Sequence, residues 1–521
     1  MARCPLAPAS AVVRRTTLGL AVGVALLATA CTPGSGGATG GAGADSAAVP
    51  APAPAPAPTP QAAPAPRAGG IAGADRLDPR SAAFLDTLSR RTFDWFWETT
   101  NPRNGLTPDR WPTNSFSSVA SVGFALAAYP IGVERGYVTR EQAVERTLTT
   151  LRFFWGLPQG PQASGVGGKD GFFYHFLDME TGLRFQTVEL STIDTTLLLG
   201  GVLACQQYFD GPSAAEREIR SLADSLYFRV DWTTMLRTPP LVAMGSKPER
   251  GFEPADWRGY NEAMLLYVLA LGSPTHPIDS TAWTAWTSTY QWRDFHGQEH
   301  LNFDPLFGHQ YSHVWIDFRG IRDAYMREKG IDYFENSRRA TLSQRAYAMA
   351  NPDGWKGYGA DAWGLTASDG PKDTTMVVDG RERRFHTYWA RGAAATGVHD
   401  DGTLVPTAAG GSIPFAPEVV IPTLIAMRER YGDDLFGRYG FLDAFNPTFD
   451  LPSVRLQHGR VVPGKGWFDT DYLGIDQGPI VTMIENYRSG LIWDLMKRNP
   501  HVVRGLCRAG FSGGWIEGRC R

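Results

Sequence analysis

Residues 259–277 read GYNEAMLLYVLALGSPTHP, and this stretch decides the fold. Ala263, Met264, Leu265, Leu266, Val268, Leu269, Ala270 and Leu271 leave no polar face, so the segment predicts a helix buried on every side. Glu262 falls in the predicted first turn, beside Asn261, where backbone N–H groups lack partners and the helix dipole is positive. A carboxylate at the mouth of so apolar a helix serves either as a cap or as chemistry.

The pattern recurs. Ser191, Thr192, Ile193 and Asp194 open a second all-round apolar helix, IDTTLLLGGVLA at 193–204, with Glu189 just before it. Asp476 and Gln477 in GIDQGP head the last long helix. Asp317 and Arg319 lie in IDFRGIRD, Asp369 ends WGLTASDG, and Asp400 and Asp401 open DDG.

Around these, roughly eleven or twelve segments with 3.6-residue periodicity run from Ser81 onward, parted by loops rich in Gly, Pro and Asp. HQYSHVWIDFRGIRDAYMRE (309–328) reads as one of them, and Thr139 with Gln142 predicts a capping box. Strand signals are few; FFYHFLDMETGLRF (172–185) reads as a hairpin turning at Glu180–Gly182. The expectation is an all-α (α/α)6 toroid in a single domain with a few short strands in its loops. Its inner helices would be apolar all round and their polar first turns would line a central cavity.

The 521 residues divide by composition. Residues 1–30 read as a signal peptide, with Arg14 and Arg15 before an apolar run too short to span a bilayer. Ala28-Thr29-Ala30-Cys31 resembles a lipobox, which makes Cys31 the expected lipidation site, and 31–75 is an Ala/Pro/Gly-rich tether. The folded domain is expected over 76–500 and a tail over 501–521. Cys205 reads as a buried thiol, whereas Cys507 and Cys520 flank a Gly-rich loop at a spacing open to pairing. A net charge of −3 excludes a polyanion partner such as nucleic acid. With 16 Trp, 18 Tyr and 27 Phe, the chain is rich in the rings on which pyranose faces stack.

Acids at helix mouths among aromatic and Gly-rich loops are what a glycoside hydrolase needs: one carboxyl protonates the leaving oxygen and a second activates water. Three classes follow from the residues alone. They are a hydrolase, a non-catalytic glycan-binding lipoprotein, and a polysaccharide lyase with a Tyr or His base. His309 and His313, four apart, have a metal-compatible spacing but lack the Glu and the third ligand of a metalloprotease.

VELSTIDTTLLLGGVL, YNEAMLLYVLALGSPTHP, HQYSHVWIDFRGIRD, YFENSRRATLSQRAYA, WGLTASDGP, DDGTLVPTAAGGSIPFAPE and YLGIDQGPI together resemble the bacterial glucoamylase-like family, whose relatives include endo-β-1,2-glucanases. The resemblance runs from Phe84 to Lys497 and departs from the family pattern at 371–398. It implies an (α/α)6 barrel and an inverting hydrolase acting on β-1,2-glucan or a related oligosaccharide, without metal or cofactor. Glu262 is then the general acid, and Asp194, Glu189 and Asp400 are the open choices for the base. Arg319, His309, Asp317, Trp363, Asp369, Asp401, Asp476 and Gln477 are the expected substrate-binding residues, with Trp389 a further stacking surface. An exported monomer, periplasmic or on the cell surface and held to the membrane only through its lipid, completes the expectation.

Overall fold

The computed structural model describes residues 69–520; the expected signal peptide, the expected lipidation site Cys31 and most of the expected tether lie outside them. Fifteen α-helices occur among the described residues. The first five are α1 (Pro79–Thr99), α2 (Val119–Glu134), α3 (Arg140–Gly156), α4 (Thr192–Tyr208) and α5 (Ala214–Phe228). Then come α6 (Met264–Gly272), α7 (Thr281–Thr287), α8 (Tyr311–Trp315), α9 (Ala324–Lys329) and α10 (Tyr333–Ala350). The last five are α11 (Pro406–Gly410), α12 (Pro417–Tyr431), α13 (Gly474–Arg488), α14 (Leu491–Arg498) and α15 (Pro500–Arg508).

Two kinds of helix separate by sequence pattern. In α2, α4, α6 and α13 nearly every residue is buried, and all nine residues of α6 are. In α1, α5 and α15 the buried residues form one stripe. Glycines set the closest approaches. A Cβ on Gly123 of α2 would overlap the Leu197 carbonyl of α4, and one on Gly478 of α13 would enter the Phe124 ring of α2. These positions demand glycine because backbone meets backbone, or ring meets backbone, with no room between.

The capping box forms as its spacing predicts: Thr139 Oγ1 accepts from Gln142 N and the Gln142 side chain accepts from Thr139 N. The 172–185 hairpin also forms, with Leu177 bridging Arg184. Four expectations are corrected. The 309–328 segment is two short helices, α8 and α9, because Gly320 turns left-handed at φ 74° and Asp323 caps a fresh start by accepting from Met326 N. Strands are more numerous than expected, all short, and the largest sheet has five strands. The unusual 371–398 stretch is made of them, pairing Thr374–Val378 with Arg381–Phe385 and Gly392–Ala394 with Gly397–His399. Residues 69–71 belong with the folded body, since Ile71 N donates to Tyr487 O and Arg319 binds the Gly69 and Gly70 carbonyls.

The C-terminal residues are also built in. Helix α15 lies against α6, where a Cβ on Gly505 would overlap the Val268 carbonyl. A disulfide joins Cys507 to Cys520 across a Cα separation of 5.2 Å, and Cys205 is a buried free thiol. No helix among the described residues is long and apolar enough to cross a membrane.

Candidate active site

Three of the fully buried helices are entered through two-residue strands. Ser117–Ser118 leads into α2 and pairs with Phe176–Leu177. Leu190–Ser191 leads into α4 between the strands Phe172–Tyr174 and Gly245–Lys247. Tyr472–Leu473 leads into α13 and pairs with Arg110–Trp111. The serines do the capping: Ser118 Oγ accepts from Ser121 N and Ser191 Oγ from Asp194 N. The acids nearby are thereby left free for other work.

Helix α6 starts at Met264, so Glu262 precedes the helix and is not in its first turn. The cap-like bond there is made by Asn261, whose Oδ1 accepts from Ala263 N at 3.0 Å. Ser312 of α8 pins the junction, donating to the Glu262 carbonyl at 2.8 Å and accepting from Leu265 N at 3.0 Å. The Glu262 carboxyl is thus not a cap. Its Oε2 is buried without a hydrogen-bond partner. Burial pushes its pKa up to about 7, its own N–H opposing and the charge of Asp194 adding to the rise. A carboxyl in that condition holds a proton near neutrality and is equipped to give it away.

Asp194, in the first turn of α4, is buried and accepts a hydrogen bond from the Ser191 hydroxyl. Its Oδ1 lies 3.5 Å from Nε2 of His175, whose Nδ1 lies 2.8 Å from Glu189 Oε1. One imidazole therefore bridges two of the predicted acids. Burial alone would lower the His175 pKa, but Asp194 and Glu189 outweigh it and raise it to about 9. Glu189 is brought down to about 2 by that same cation, against the effect of burial. Asp194 is raised by its burial in spite of His175 and Ser191. The sequence reading missed His175; the signal available was a basic ring in an otherwise apolar strand, FFYHF.

Tyr311 feels acids of two groups. Burial raises its hydroxyl well above the ordinary range, and the charges of Asp476, Glu262 and Asp194 all add to it. Asp476 belongs to a second set of buried acids. Burial pushes Asp476 up to about 7 despite its hydrogen bond with Asp443. Arg110 donates to Asp369 Oδ2 at 2.5 Å and to Asp109 Oδ2 at 3.2 Å. Gln477 donates to the Phe441 carbonyl at 2.9 Å and leaves its Oε1 buried and unpartnered.

Other predicted residues are used elsewhere. Asp400 accepts from the phenols of Tyr347 and Tyr358 at 2.8 and 2.7 Å and from Gly402 N, and burial raises it to about 6. Asp401 is fully engaged by the Arg391 guanidinium and the His386 and Thr403 amides. Arg319 spends its donors on Asp317 and on the Gly69 and Gly70 carbonyls and lies over Trp493, so neither it nor Asp317 is open to a sugar. Trp363 is wholly buried with its Nε1 on Thr423, which rules it out as a stacking platform. His309 is buried against Tyr260 and kept neutral by burial. Trp389 is half-buried and stacks on His386. An open hollow lined by Lys169, Asp170, Tyr174, Ser246 and Phe252 contains none of the paired acids.

A helical body whose buried helices present a proton-holding carboxyl beside a histidine-bridged acid pair is built as a glycan hydrolase is built. Comparison with known proteins agrees. A family model described as "Putative glucoamylase" matches residues 254–500. The Bacteroides uniformis structure described as a putative glucoamylase is 32% identical, with a TM-score of 0.70, covering 84% of this chain and 99% of that one. The chain belongs to this glucoamylase-like family. An endo-β-1,2-glucanase from Chitinophaga pinensis, solved with sophorotriose and glucose, is 28% identical with a TM-score of 0.70, covering 84% of this chain and 99% of its own. An exo-β-1,2-glucooligosaccharide sophorohydrolase of Parabacteroides distasonis is 28% identical over 460 residues, 81% of this chain. The chain spans 57% of that relative's length.

Proposed function

We propose that this protein is a glycoside hydrolase that cleaves β-1,2-linked glucan, or an oligosaccharide of it, with inversion. The observation that carries the reading is the Glu262 carboxyl: buried, unpartnered at Oε2, raised to about 7, and within the field of Asp194. The named activities of the Chitinophaga and Parabacteroides relatives supply the substrate class.

In this reading Glu262 donates its proton to the leaving glycosidic oxygen. Asp194 accepts a proton from the water that attacks the anomeric carbon from the opposite face, and inversion needs roughly 6.5–9.5 Å between the two carboxyls. His175 holds Asp194 in place and is the counter-charge for it. Glu189, at about 2 and bound to His175, is too weak a base for the task, and the acid whose charge Glu262 feels is Asp194, not Asp400. The glycan-binding alternative gives no reason for an unpartnered carboxyl held protonated in the interior. The lyase alternative asks a uronate to approach a region where acids far outnumber bases.

The test is to incubate the protein, and its Glu262→Gln form, with linear β-1,2-glucan and a panel of other glucans, following the anomer released by proton NMR. Cleavage of β-1,2-glucan alone, α-anomer first, with a silent variant, is the expected result. Retained configuration would overturn the mechanism, and no cleavage of any glucan would overturn the function.

The same reading places the helices in a closed (α/α)6 ring with α2, α4, α6 and α13 on the inside, which their near-total burial supports. It also makes the protein an exported, monomeric lipoprotein tethered through Cys31. The support is the sequence before residue 69, together with a disulfide of the kind that persists in oxidising compartments. Loss of membrane association in Cys31→Ser, with activity intact, is the outcome that tests the tether.

A further inference from the structure

Around Arg110 and the start of α13 the interior holds six buried carboxyls, those of Asp109, Asp369, Asp443, Asp469, Asp471 and Asp476. Two guanidinium groups act among them: Arg110 feels Asp369, Asp109, Asp469 and Asp471 together, and Arg391, bound to Asp401, feels Asp443 and Asp369. Burying six carboxyls against two cations is costly, and proteins meet the cost with protons, further cations or a bound ion.

Buried oxygens without a hydrogen-bond partner include Asp443 Oδ1 and Asp476 Oδ2, and also Asp369 Oδ1 and Asp469 Oδ2. The other oxygens of Asp369 and Asp469 are committed, Asp369 Oδ2 to Arg110 and Asp469 Oδ1 to the Thr470 and Asp471 amides. The free oxygens are therefore not spare acceptors of a satisfied network, and both residues are wholly buried.

Asp369, Asp443 and Asp469 each bring one carboxylate oxygen to within 4.8 Å of the other two. Oxygens that close together can share one cation at about 2.4 Å, the Ca2+–oxygen distance. Backbone geometry holds the three in register. The Asp469 amide donates to Ala444 O at 2.9 Å, the Asp443 amide to Asp471 O at 3.0 Å, and the Asp369 amide to Asp443 Oδ2 at 2.8 Å. Phe445 pairs with Phe468, so the Asp443 and Asp469 loops leave one small sheet side by side. The donor set is all carboxylate, which favours hard cations over zinc or copper.

We propose that Asp369, Asp443 and Asp469 bind one hard divalent cation of the Ca2+ or Mg2+ type. The ion fastens the loop after Ser368 to the turns around 443 and 469, next to the start of α13. This differs from the sequence-based expectation that no metal takes part, and it does not depend on which glucan is cut.

The test strips the purified full chain with EDTA and titrates it by calorimetry with CaCl2 and, separately, MgCl2, following Tm in parallel. One ion per chain with a Tm rise of about 3–5 °C is expected at saturation. Asp469→Asn and Asp443→Asn, which preserve shape and remove charge, should each weaken binding at least tenfold. Crystals soaked in MnCl2 locate the ion without any variant, with an anomalous peak expected between the three carboxylates. No heat and no Tm shift with either ion overturns the proposal. So does a peak elsewhere, or binding undiminished in the Asp443→Asn/Asp469→Asn double variant.

Discussion

His175 lies with its Nδ1 2.8 Å from Oε1 of Glu189, on the strand side of the helix that carries Asp194. The Glu189 side chain is 25% exposed and that of His175 13%. The imidazolium sets a positive charge between the two carboxylates, 2.8 Å from Glu189 Oε1 and 3.5 Å from Asp194 Oδ1.

That bridge has a defined pH window. The folded pKa of His175, about 9, is above its unfolded value of 6.5, so its contribution is complete below 6.5 and is lost as pH rises through 9. The folded pKa of Glu189, about 2, is below 4.5, so its contribution is complete above 4.5 and is lost as pH falls through 2. Both act fully between about 4.5 and 6.5. Replacing the ring by His175→Ala leaves Asp194 buried without its counter-charge and should cost on the order of 3 kcal/mol in that window. Urea denaturation at pH 5.5 and pH 9.5 checks this; an equal loss at both values would mean that the ring stabilises by packing and not by charge.

Glu262 gives a prediction of opposite sign. Its folded pKa of about 7 exceeds the unfolded 4.5 because burial disfavours the carboxylate. Stability is therefore penalised progressively as pH rises from 4.5 to 7 and is unaffected below 4.5. Glu262→Gln removes the titration. It should raise stability at pH 8 by up to about 3 kcal/mol relative to pH 4.5, while kcat/KM on the cleaved glucan falls by about 10²–10⁴. The wild-type kcat/KM should fall above pH 7 as the acid loses its proton. A variant that is less stable at pH 8 than the wild type would show that the carboxylate is solvated or paired.

What the sequence made legible follows from burial. A helix enclosed on all sides must be apolar on all sides, so α4 and α6 announce themselves, and an acid such as Glu262 or Asp194 stands out at their starts. The 309–328 segment misled because Gly320 and Asp323 break it by backbone conformation and capping, neither of which disturbs its periodicity. Trp363 misled because indole serves a core and a sugar platform alike. The carboxyl cluster was invisible for a different reason. Asp109, Asp369 and the group Asp443, Asp469 and Asp476 come from three separate parts of the chain, and Asp443 and Asp469 sit in FLDAF and WFDTD, which carry no helical period. Only tertiary packing brings them together, as it brings His175 from its hairpin to the mouth of α4.

The packing of α15 on α6 offers a test of the fold independent of the site. Gly505 has no room for a Cβ beside the Val268 carbonyl, whereas Gly156, at the end of α3, has nothing within 4 Å. Gly505→Ala must push the two helices apart and should cost about 1–3 kcal/mol. Gly156→Ala should be neutral or stabilising by less than about 1 kcal/mol, since it only restricts the unfolded chain. Chemical denaturation of the two variants side by side decides it. Equal small effects would mean that α15 is peripheral and the C-terminal residues behave as the tail their composition implied.

The Cys507–Cys520 bond closes that same region. The two cysteines are 13 residues apart, and a loop of that size constrains the unfolded chain by roughly 3 kcal/mol. Cys520→Ser should therefore lower the unfolding free energy by about 2–3 kcal/mol. The loss should fall on the packing of α15 against α6, where Arg508 donates to the Leu271 carbonyl in the last turn of α6 and to the Ile278 carbonyl beyond it. Reductant added to the wild type should reproduce the variant's curve, because Cys205 is buried and unpaired and offers no other disulfide among the described residues. Measuring both in guanidinium separates two outcomes. Matching curves locate the stabilisation in the covalent link. A stable variant in a reducing buffer would mean that α15 is held by its apolar stripe alone, so that the bond adds nothing to a helix already fixed by Val502, Leu506 and the Gly505 contact.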